Sequence, residues 1–472
     1  MVTSPVRLVI VAILIATFIL SLLFRSPNRP PCIPELIPRI SNTVLFLNNY
    51  SELLRRASLA FGAGNIVRFY VGPKTIYLIR GQHNIARLLR CDTALASEGF
   101  VLLVLKGMAR MKQEDLDKFI NDKSGRLKTP NPGTEGTHPR YWADQHALYA
   151  DYLTPAHHAN ALAQRYFLAL RERLDALSSP EWTTVPLQTF TRSVVSESAL
   201  VSLCGPNIIR LTPDIVDRYW AYDRLVNPIL YGAPRWLFRS SYTAQDRFYD
   251  GIERWLDFSQ AAFDWTDANA LSLDWEPIFG SRLCREAAQW LKRGGFSKQA
   301  TVGLFGGIIF ALQANTISIA TWAFIHLLQH EDIFNAARDE ARQALVVDRH
   351  GNTVGIDEQK LVAMPLLQAI FAETLRLHVI FPMSREVMEE VEFEGYKIPK
   401  GSYVQGTAGI EHFEEAAWMK DGHGPREFWP ERHLVHVETG EGHEEVRFSM
   451  EGKTTKFFPF GKCNLWDILP SH

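Results

Sequence analysis

The chain has 472 residues, of which 46% are hydrophobic, so it can bury a large core as one big enzyme domain or as several smaller domains. Its 50 basic and 52 acidic residues are scattered and give a net charge of −2, which argues against a nucleic-acid partner. The five cysteines form no C-x-x-C pair and are spread over the whole chain, so they indicate neither a disulfide framework nor a zinc site.

An apolar segment near the N-terminus runs from Leu8 to Phe24. As a helix it would extend about 25 Å, just short of the hydrocarbon core of a bilayer. A cleaved signal peptide is the alternative, but small residues suited to cleavage are absent and Arg25 follows instead. The sequence therefore predicts a transmembrane anchor over residues 1–25. More arginines follow the segment than precede it, which predicts that the rest of the chain faces the cytosol.

Residues 26–38 contain five prolines, which restrict the backbone and remove amide donors. This composition predicts a stiff linker between the anchor and a single large domain over residues 39–472. The domain begins with two β-rich runs, Ile66–Val71 and Thr75–Ile79, whose separation by Gly72-Pro73 predicts a hairpin.

The middle of the chain, from about residue 140 to residue 345, shows helical spacing and almost no strand signal. The longest helical patterns are Ala159–Leu177, Ala244–Phe263 and Ala300–Gln329. A further helix is predicted over Met364–Leu377, followed by short strands at Val391–Phe393 and Tyr403–Gln405 and a loop-rich end. The sequence thus predicts a mainly α fold with small β-sheets near both ends.

Glu373 and Arg376 lie three positions apart on the predicted helix Met364–Leu377, so they share a face and can pair. Alone, this E-x-x-R spacing is weak evidence, because such pairs arise by chance on amphipathic helices and are usually solvated. Further motifs follow it in order: Leu377-His378, Phe381-Pro382, Arg385, Gly395 to Gly401, Phe428-Trp429-Pro430-Glu431-Arg432-His433-Leu434 and Phe457-Phe458-Pro459-Phe460-Gly461.

This series resembles the C-terminal half of the cytochrome P450 family in content, order and spacing. The resemblance implies the α+β fold of that family. It also implies that Glu373, Arg376 and Arg432 form a buried ionic cluster with a structural role. Such a cluster is physically consistent, because charges buried together must satisfy one another.

The resemblance also implies residues that contact haem. Arg385 occupies the place where family members direct an arginine at a haem propionate, a contact that suits a planar guanidinium. Trp142 and His146 resemble the W-x-x-x-R propionate motif with His in place of Arg. A packed tryptophan and an ordinary surface histidine are the alternative interpretation of this pair.

Ala300–Gln329 resembles the long distal helix of the family, in which a threonine and a preceding acid deliver protons to iron-bound dioxygen. Thr316 matches the threonine, whereas Asn315 stands where an acid is usual and cannot relay a proton as a carboxylate does. This variant is similar to the branch containing sterol 7α-hydroxylases and prostacyclin synthase, some of whose members rearrange peroxides. A structural role for a polar pair on a buried helix is the alternative.

The C-terminal loop departs from the family pattern F-x-x-G-x-x-x-C-x-G, whose cysteine binds iron and precedes a further helix. Phe460 begins the loop, but Cys463 stands at the glycine position and Asp467 at the cysteine position. We therefore expect a fold without the end of the haem loop and without the last helix, and Cys463 is a displaced candidate for the iron ligand. Gly461-Lys462-Cys463 can be encoded by GGT AAG TGC, which contains the intron start GTAAGT, so translation of an unspliced intron explains the change.

The resemblance predicts a haem b monooxygenase of the endoplasmic reticulum membrane, with one membrane span. It would receive electrons from NADPH through a cytochrome P450 reductase and hydroxylate a sterol, terpenoid or fatty acid, with activity impaired in this chain by its altered loop. Two alternatives remain: an oxygen-independent haem-thiolate isomerase or lyase, and a non-catalytic product that binds no haem.

Overall fold

The structure is a computed structural model that describes residues 29–90, 94–177, 182–380, 382–439, 443–453 and 456–459. The predicted anchor over residues 1–25 lies outside these ranges. The chain forms two compact units: residues 1–101 and 372–472 form the first unit, and residues 102–371 form the second.

The first unit is built on a mixed five-stranded sheet. In spatial order its strands are Ile66–Val71, Lys74–Ile79, Tyr403–Thr407, Pro382–Val387 and Leu95–Ala96. The first two form the predicted antiparallel hairpin, in which Val71 pairs with Lys74. Strand Tyr403–Thr407 pairs in parallel with Lys74–Ile79 and antiparallel with Pro382–Val387, so the two ends of the chain share one sheet.

Helices and two hairpins complete the first unit. The helices are Ser41–Asn48, Tyr50–Phe61, Gln82–Leu89, Ala408–Glu411, Glu415–Trp418 and the 3₁₀ turn Pro430–His433. One hairpin joins Val391–Phe393 to Tyr396–Ile398, and the other joins Leu434–Thr439 to His443–Phe448. The second hairpin lies where the sequence predicts a loop-rich end, because its strands carry charged, exposed residues instead of an apolar alternation.

The described end of the linker packs against the sheet. The Ile33 amide donates to the Arg68 carbonyl at 2.8 Å, and the Arg68 amide donates to the Pro31 carbonyl at 2.8 Å. Ile33 is fully buried. This part of residues 26–38 is therefore bonded to strand Ile66–Val71.

The second unit is almost entirely helical. Its helices are Gln113–Asn121, Tyr141–Leu153, Ala156–Leu177, Leu187–Phe190, Ser196–Cys204, Asn207–Leu211, Ile215–Asp223, Val226–Leu230, Arg239–Ala262, Ala268–Ser272, Arg282–Arg293, Lys298–Ala311, Ser318–Gln329, Glu331–Arg342 and Glu358–Val362. Two short hairpins, Trp275–Glu276 with Gly280–Ser281 and Leu345–Val347 with Thr353–Ile356, were not predicted. The boundaries between the units in the sequence, after residues 101 and 371, fall within helices Glu98–Gly107 and Pro365–His378.

The long helix, Lys298–Gln329, matches the predicted helix Ala300–Gln329 and contains a π-helical segment at Leu312–Ile317. Ser297 caps its N-terminus, with the Ser297 hydroxyl accepting from the Ala300 amide at 3.2 Å. Two of its glycines permit close packing: a Cβ at Gly303 would lie 1.9 Å from the Ala109 carbonyl oxygen, and a Cβ at Gly306 would lie 2.7 Å from the Tyr249 ring. The first half of the helix is therefore a core element.

The second half of the long helix differs from the first. None of the residues in Ser318–Gln329 is fully buried, and Trp322 and Leu328 are exposed. Within the described residues, the long helix is the one helix whose length and composition would allow it to cross a membrane, although half of its most apolar window is buried.

Candidate functional site

The first unit contains a fully buried ionic cluster around Glu373. On helix Pro365–His378, the Glu373 carboxylate accepts from Arg376 Nε and Nη2, both at 2.8 Å. The Arg432 Nε donates to Glu373 Oε1 at 3.3 Å, and the His433 Nε2 lies 3.0 Å from Oε2. None of the three charged side chains is more than 1% exposed. The structure thus brings together the three residues that the resemblance places in one cluster, and adds His433.

Backbone carbonyls satisfy the remaining donors of the two arginines. The Arg376 guanidinium donates to the carbonyls of His412 at 2.7 Å and Pro425 at 2.5 Å. The Arg432 guanidinium donates to the carbonyls of Trp418 and of Gly424, the latter at 2.9 Å. Since each carbonyl belongs to the loop between residues 412 and 427, the cluster fixes that loop. The arrangement is structural, because no donor of the cluster is left pointing at a ligand site.

The electrostatics follow from this geometry. Burial acts to raise the pKa of Glu373, but hydrogen bonds from Arg376 and His433 together with the charge of Arg376 hold the pKa well below its usual range. Burial lowers the pKa of His433, against the opposing effect of Glu373. Glu373 is therefore ionised, and a neutral His433 donates its Nε2 proton to it.

His412 links this cluster to the segment that precedes the predicted haem loop. The Phe458 amide donates to His412 Nε2 at 3.3 Å, so the ring proton lies on Nδ1, which donates to the Arg376 carbonyl at 3.0 Å. Complete burial lowers the pKa of His412 to about 3, so the ring is neutral. Sequence reasoning missed His412, because no spacing to Arg376 or Phe458 marks it.

Arg385 lies on strand Pro382–Val387 of the first unit, between strands Tyr403–Thr407 and Leu95–Ala96, and is paired in register with Val404. Its side chain is half-buried, and its Nη1 donates to the Ser384 carbonyl at 3.2 Å. This strand position holds the guanidinium on a rigid sheet, as binding to a carboxylate requires.

Trp142 and His146 lie on helix Tyr141–Leu153 of the second unit. The Trp142 indole is buried, and its N–H donates to the Phe119 carbonyl at 2.8 Å. Phe119 also packs edge-on against the same indole, with ring centroids 5.1 Å apart. His146 is exposed. In this conformation Trp142 is a packed core residue, and its one hydrogen-bond donor, the indole N–H, is already bonded to the Phe119 carbonyl.

Thr316 and Asn315 lie in the π-helical segment of the long helix, where both side chains are exposed. The Asn315 amide group donates to the Ala311 carbonyl at 3.0 Å. Gln313 is fully buried, accepts from the Ser196 hydroxyl at 2.6 Å, and donates to the Ser196 carbonyl at 3.1 Å. These two bonds fix the segment in which the i→i−4 ladder is interrupted, a feature frequent at functional sites.

Thr316 borders an apolar cavity of about 470 Å³ within the second unit. Helices Tyr141–Leu153, Ala156–Leu177 and Ser196–Cys204 contribute its other walls, and Tyr149, Leu162, Leu203 and Leu312 are among the lining residues. Such a cavity favours an apolar ligand, with the hydroxyl of Thr316 among the few polar groups at its edge.

The altered loop from Phe460 onward, including Cys463 and Asp467, lies outside the described residues. Pro459 is the last described residue before it.

A family model described as cytochrome P450 matches residues 226–462. The chain is 35% identical over 424 residues to cytochrome P450 monooxygenase calL of Penicillium decumbens, covering 89% of this chain and 78% of that protein. It is 25% identical to cytochrome P450 monooxygenase fsoE of Humicola fuscoatra, covering 92% of this chain and 77% of that protein.

The chain belongs to the cytochrome P450 family. The retinoic acid bound structure of cyanobacterial CYP120A1 shares the fold, with a TM-score of 0.58 and 17% identity over 93% of this chain and 87% of that one. The resemblance in the sequence and the predicted α+β fold are confirmed. As a cytochrome P450 this protein is by family an oxygenase, for which haem, an electron donor and a small-molecule substrate are implied.

Proposed function

We propose that this cytochrome P450 is a haem-thiolate monooxygenase that hydroxylates an apolar small molecule such as a sterol, terpenoid or fatty acid. The observation that carries the proposal is Thr316, which lies in the π-helical break of the long helix at the edge of an apolar cavity. A cavity of this composition takes hydrocarbon surface more readily than a charged or sugar-like substrate.

The described residues fit a haem in part. Arg385 supplies a rigidly held guanidinium for a propionate, whereas Trp142 would have to release the Phe119 carbonyl before donating to one. His146 is exposed and can reach a propionate only if its side chain turns inward. When bound, haem b supplies the activation of dioxygen, with electrons from NADPH through a reductase.

The chain's own residues have separate roles in this proposal. The Thr316 hydroxyl can accept one hydrogen bond and donate another at the cavity edge, so it could relay a proton there by gaining one as it loses one. Asn315 cannot release a proton and therefore orients water or substrate. The cluster of Glu373, Arg376 and Arg432 holds the loop between residues 412 and 427 without touching substrate.

The segment from residue 1 to residue 25 anchors the enzyme in the endoplasmic reticulum membrane, with residues 26–38 as the linker and residues 39–472 as the catalytic part in the cytosol. The apolar composition of Leu8–Phe24 supports this arrangement. A membrane location suits an enzyme whose substrates partition into lipid.

A second candidate is an oxygen-independent isomerase or lyase that acts on a peroxide. Asn315 favours it, because its carboxamide replaces the proton-relaying acid and is bonded to the Ala311 carbonyl. Such a reaction rearranges oxygen already present in the substrate and consumes no external electrons.

The iron ligand is the first test. Because Asp467 occupies the family's cysteine position and Cys463 lies four residues earlier, we expect the full 472-residue chain, reduced under carbon monoxide, to lack a full-strength thiolate haem band. A full-strength band that disappears in Cys463→Ser would contradict this expectation and identify Cys463 as the ligand. Absence of any haem band supports the non-catalytic alternative for this chain.

The reaction is the second test, made on a chain that binds haem, with reductase in detergent micelles. Coupled consumption of NADPH and oxygen with formation of a hydroxylated product supports the monooxygenase. Turnover of a hydroperoxide without any electron donor, with no NADPH-dependent product, would overturn it in favour of the isomerase.

A further inference from the structure

Three potential metal ligands meet in the second unit. His157 and His158 are consecutive residues in the first turn of helix Ala156–Leu177, and Asp274 directly precedes strand Trp275–Glu276. One ligand atom from each residue lies within 4.8 Å of the others. The two imidazole rings are close, with centroids 3.9 Å apart.

His158 provides the second observation. Its ring is buried, with 6% of the residue exposed, and its Nδ1 lies 2.9 Å from Asp274 Oδ1. This short contact with the carboxylate is the close polar contact of Nδ1, which makes no well-directed hydrogen bond among the described residues. A buried ring nitrogen left in this state costs free energy, which a cation shared with the carboxylate removes.

The cluster is open to solvent on one side. His157 is exposed and Asp274 half-buried, so an ion can enter from solvent and water can occupy a remaining position. The Arg282 amide donates to the Asp274 carbonyl at 2.9 Å, which fixes the backbone of the carboxylate ligand.

We propose that His157, His158 and Asp274 form a zinc site that joins the start of helix Ala156–Leu177 to the segment before strand Trp275–Glu276. Two imidazole nitrogens and one carboxylate oxygen match the ligands zinc accepts, and water completes a tetrahedral set. With bonds of about 2.0–2.2 Å, the ligand atoms must move slightly together. The exposed His157 side chain has the freedom to do so. We assign the site a structural role, because it would join two segments that are far apart in the sequence.

The test is titration of the metal-stripped full-length protein with zinc chloride, followed by calorimetry. We expect one strong site in the wild type and at least a tenfold weaker affinity in His157→Ala and in Asp274→Asn. His83→Ala is the matched control, because His83 is also an exposed histidine in the first turn of a helix and is expected to leave the affinity unchanged.

Zinc should also raise the thermal midpoint of the wild type and not that of His157→Ala, which removes an exposed side chain and should fold normally. Equal zinc affinity in the wild type and in both site variants would overturn the proposal. So would an equal loss of affinity in His83→Ala, since zinc would then be held elsewhere.

Discussion

At the scale of single residues, the Glu373 cluster shows why buried charge demands complete pairing. Glu373 accepts from Arg376, Arg432, His433 and the Trp429 amide, and the arginines reach backbone carbonyls with their other donors. The Coulombic attraction offsets the desolvation of the ions only because the carboxylate and both guanidinium groups are hydrogen-bonded. Removal of one partner therefore costs far more than the loss of an exposed pair.

We expect Glu373→Gln to lower the free energy of unfolding by about 3–5 kcal/mol, because two buried guanidinium groups lose their counter-charge. Glu52→Gln is the control: Glu52 forms solvent-screened pairs with Arg55 and Arg56, so its loss should change stability far less. Urea denaturation of the detergent-solubilised variants measures both values. Similar costs for the two substitutions would show that the Glu373 cluster is not buried as described.

His412 makes a separate, pH-dependent contribution. Its folded pKa of about 3 lies below the ordinary histidine pKa of 6.5, so between these values the unfolded chain binds a proton that the folded chain does not. Stability from this group is complete above about pH 6.5 and is lost as pH falls toward 3, by at most about 1.4 kcal/mol per pH unit. Glu373 changes charge only at lower pH, because its pKa is depressed.

We therefore expect the denaturation midpoint of the wild type to fall between pH 7 and pH 5 more steeply than that of His412→Gln. Glutamine can still donate to the Arg376 carbonyl and accept from Phe458, so the variant should fold. His83→Gln controls for the loss of one exposed histidine. Identical pH slopes for the wild type and His412→Gln would contradict a neutral, buried His412.

At the scale of secondary structure, the long helix combines two kinds of constraint. Gly303 allows the helix to touch the backbone at Ala109, whereas Gln313 and Ser196 fix the π-helical segment that displays Thr316. The close contact at Gly303 and the π-helical segment therefore lie within the same helix. The contact helps to position the π-helical segment, because a helix pushed away from Ala109 would move Thr316 as well.

We expect Gly303→Ala to destabilise the protein by about 1–3 kcal/mol, because its Cβ would overlap the Ala109 carbonyl, a backbone atom that cannot turn away. Gly307→Ala, in the same helix with no atom within 4 Å of its Cβ, should instead stabilise by up to about 1 kcal/mol. Thermal unfolding of the two variants distinguishes these outcomes. A stabilising effect of both would show that the long helix does not pack closely at Gly303.

At the scale of the whole molecule, the proposed membrane association rests on the apolar segment Leu8–Phe24 and on exposed apolar side chains elsewhere, such as Leu36, Leu59 and Trp236. In this proposal the segment supplies most of the insertion energy, because its apolar residues would cross most of the hydrocarbon core. Isolated apolar side chains contribute weaker, reversible adsorption to the bilayer surface.

We expect removal of residues 1–25 to shift most of the protein from the membrane fraction to the soluble fraction. The protein that remains on the membrane should be extractable by high salt or mild detergent. Sedimentation and immunoblotting of microsomes measure the distribution. Secretion of the full-length chain in soluble form would contradict the anchor.

The sequence by itself determined the elements and motifs that depend on neighbouring residues. Helical periodicity marked Lys298–Gln329 and Pro365–His378, and Gly72-Pro73 marked the first hairpin. The spacing of Glu373 and Arg376 on one helix face also follows from local geometry. The order of the motifs was then enough to indicate the family. The hairpin of Leu434–Thr439 with His443–Phe448 was not predicted, because its strands are polar.

Tertiary structure alone decided which distant groups meet. His412 joins Arg376 to Phe458, Gln313 bonds Ser196 across 117 positions, and His158 faces Asp274. These contacts depend on how helices and loops pack around buried polar groups, which must find partners wherever the chain passes. The periodicity of the sequence does not show such contacts. They form because both polar groups lose water together on burial, and this free energy belongs to the pair and not to either segment alone.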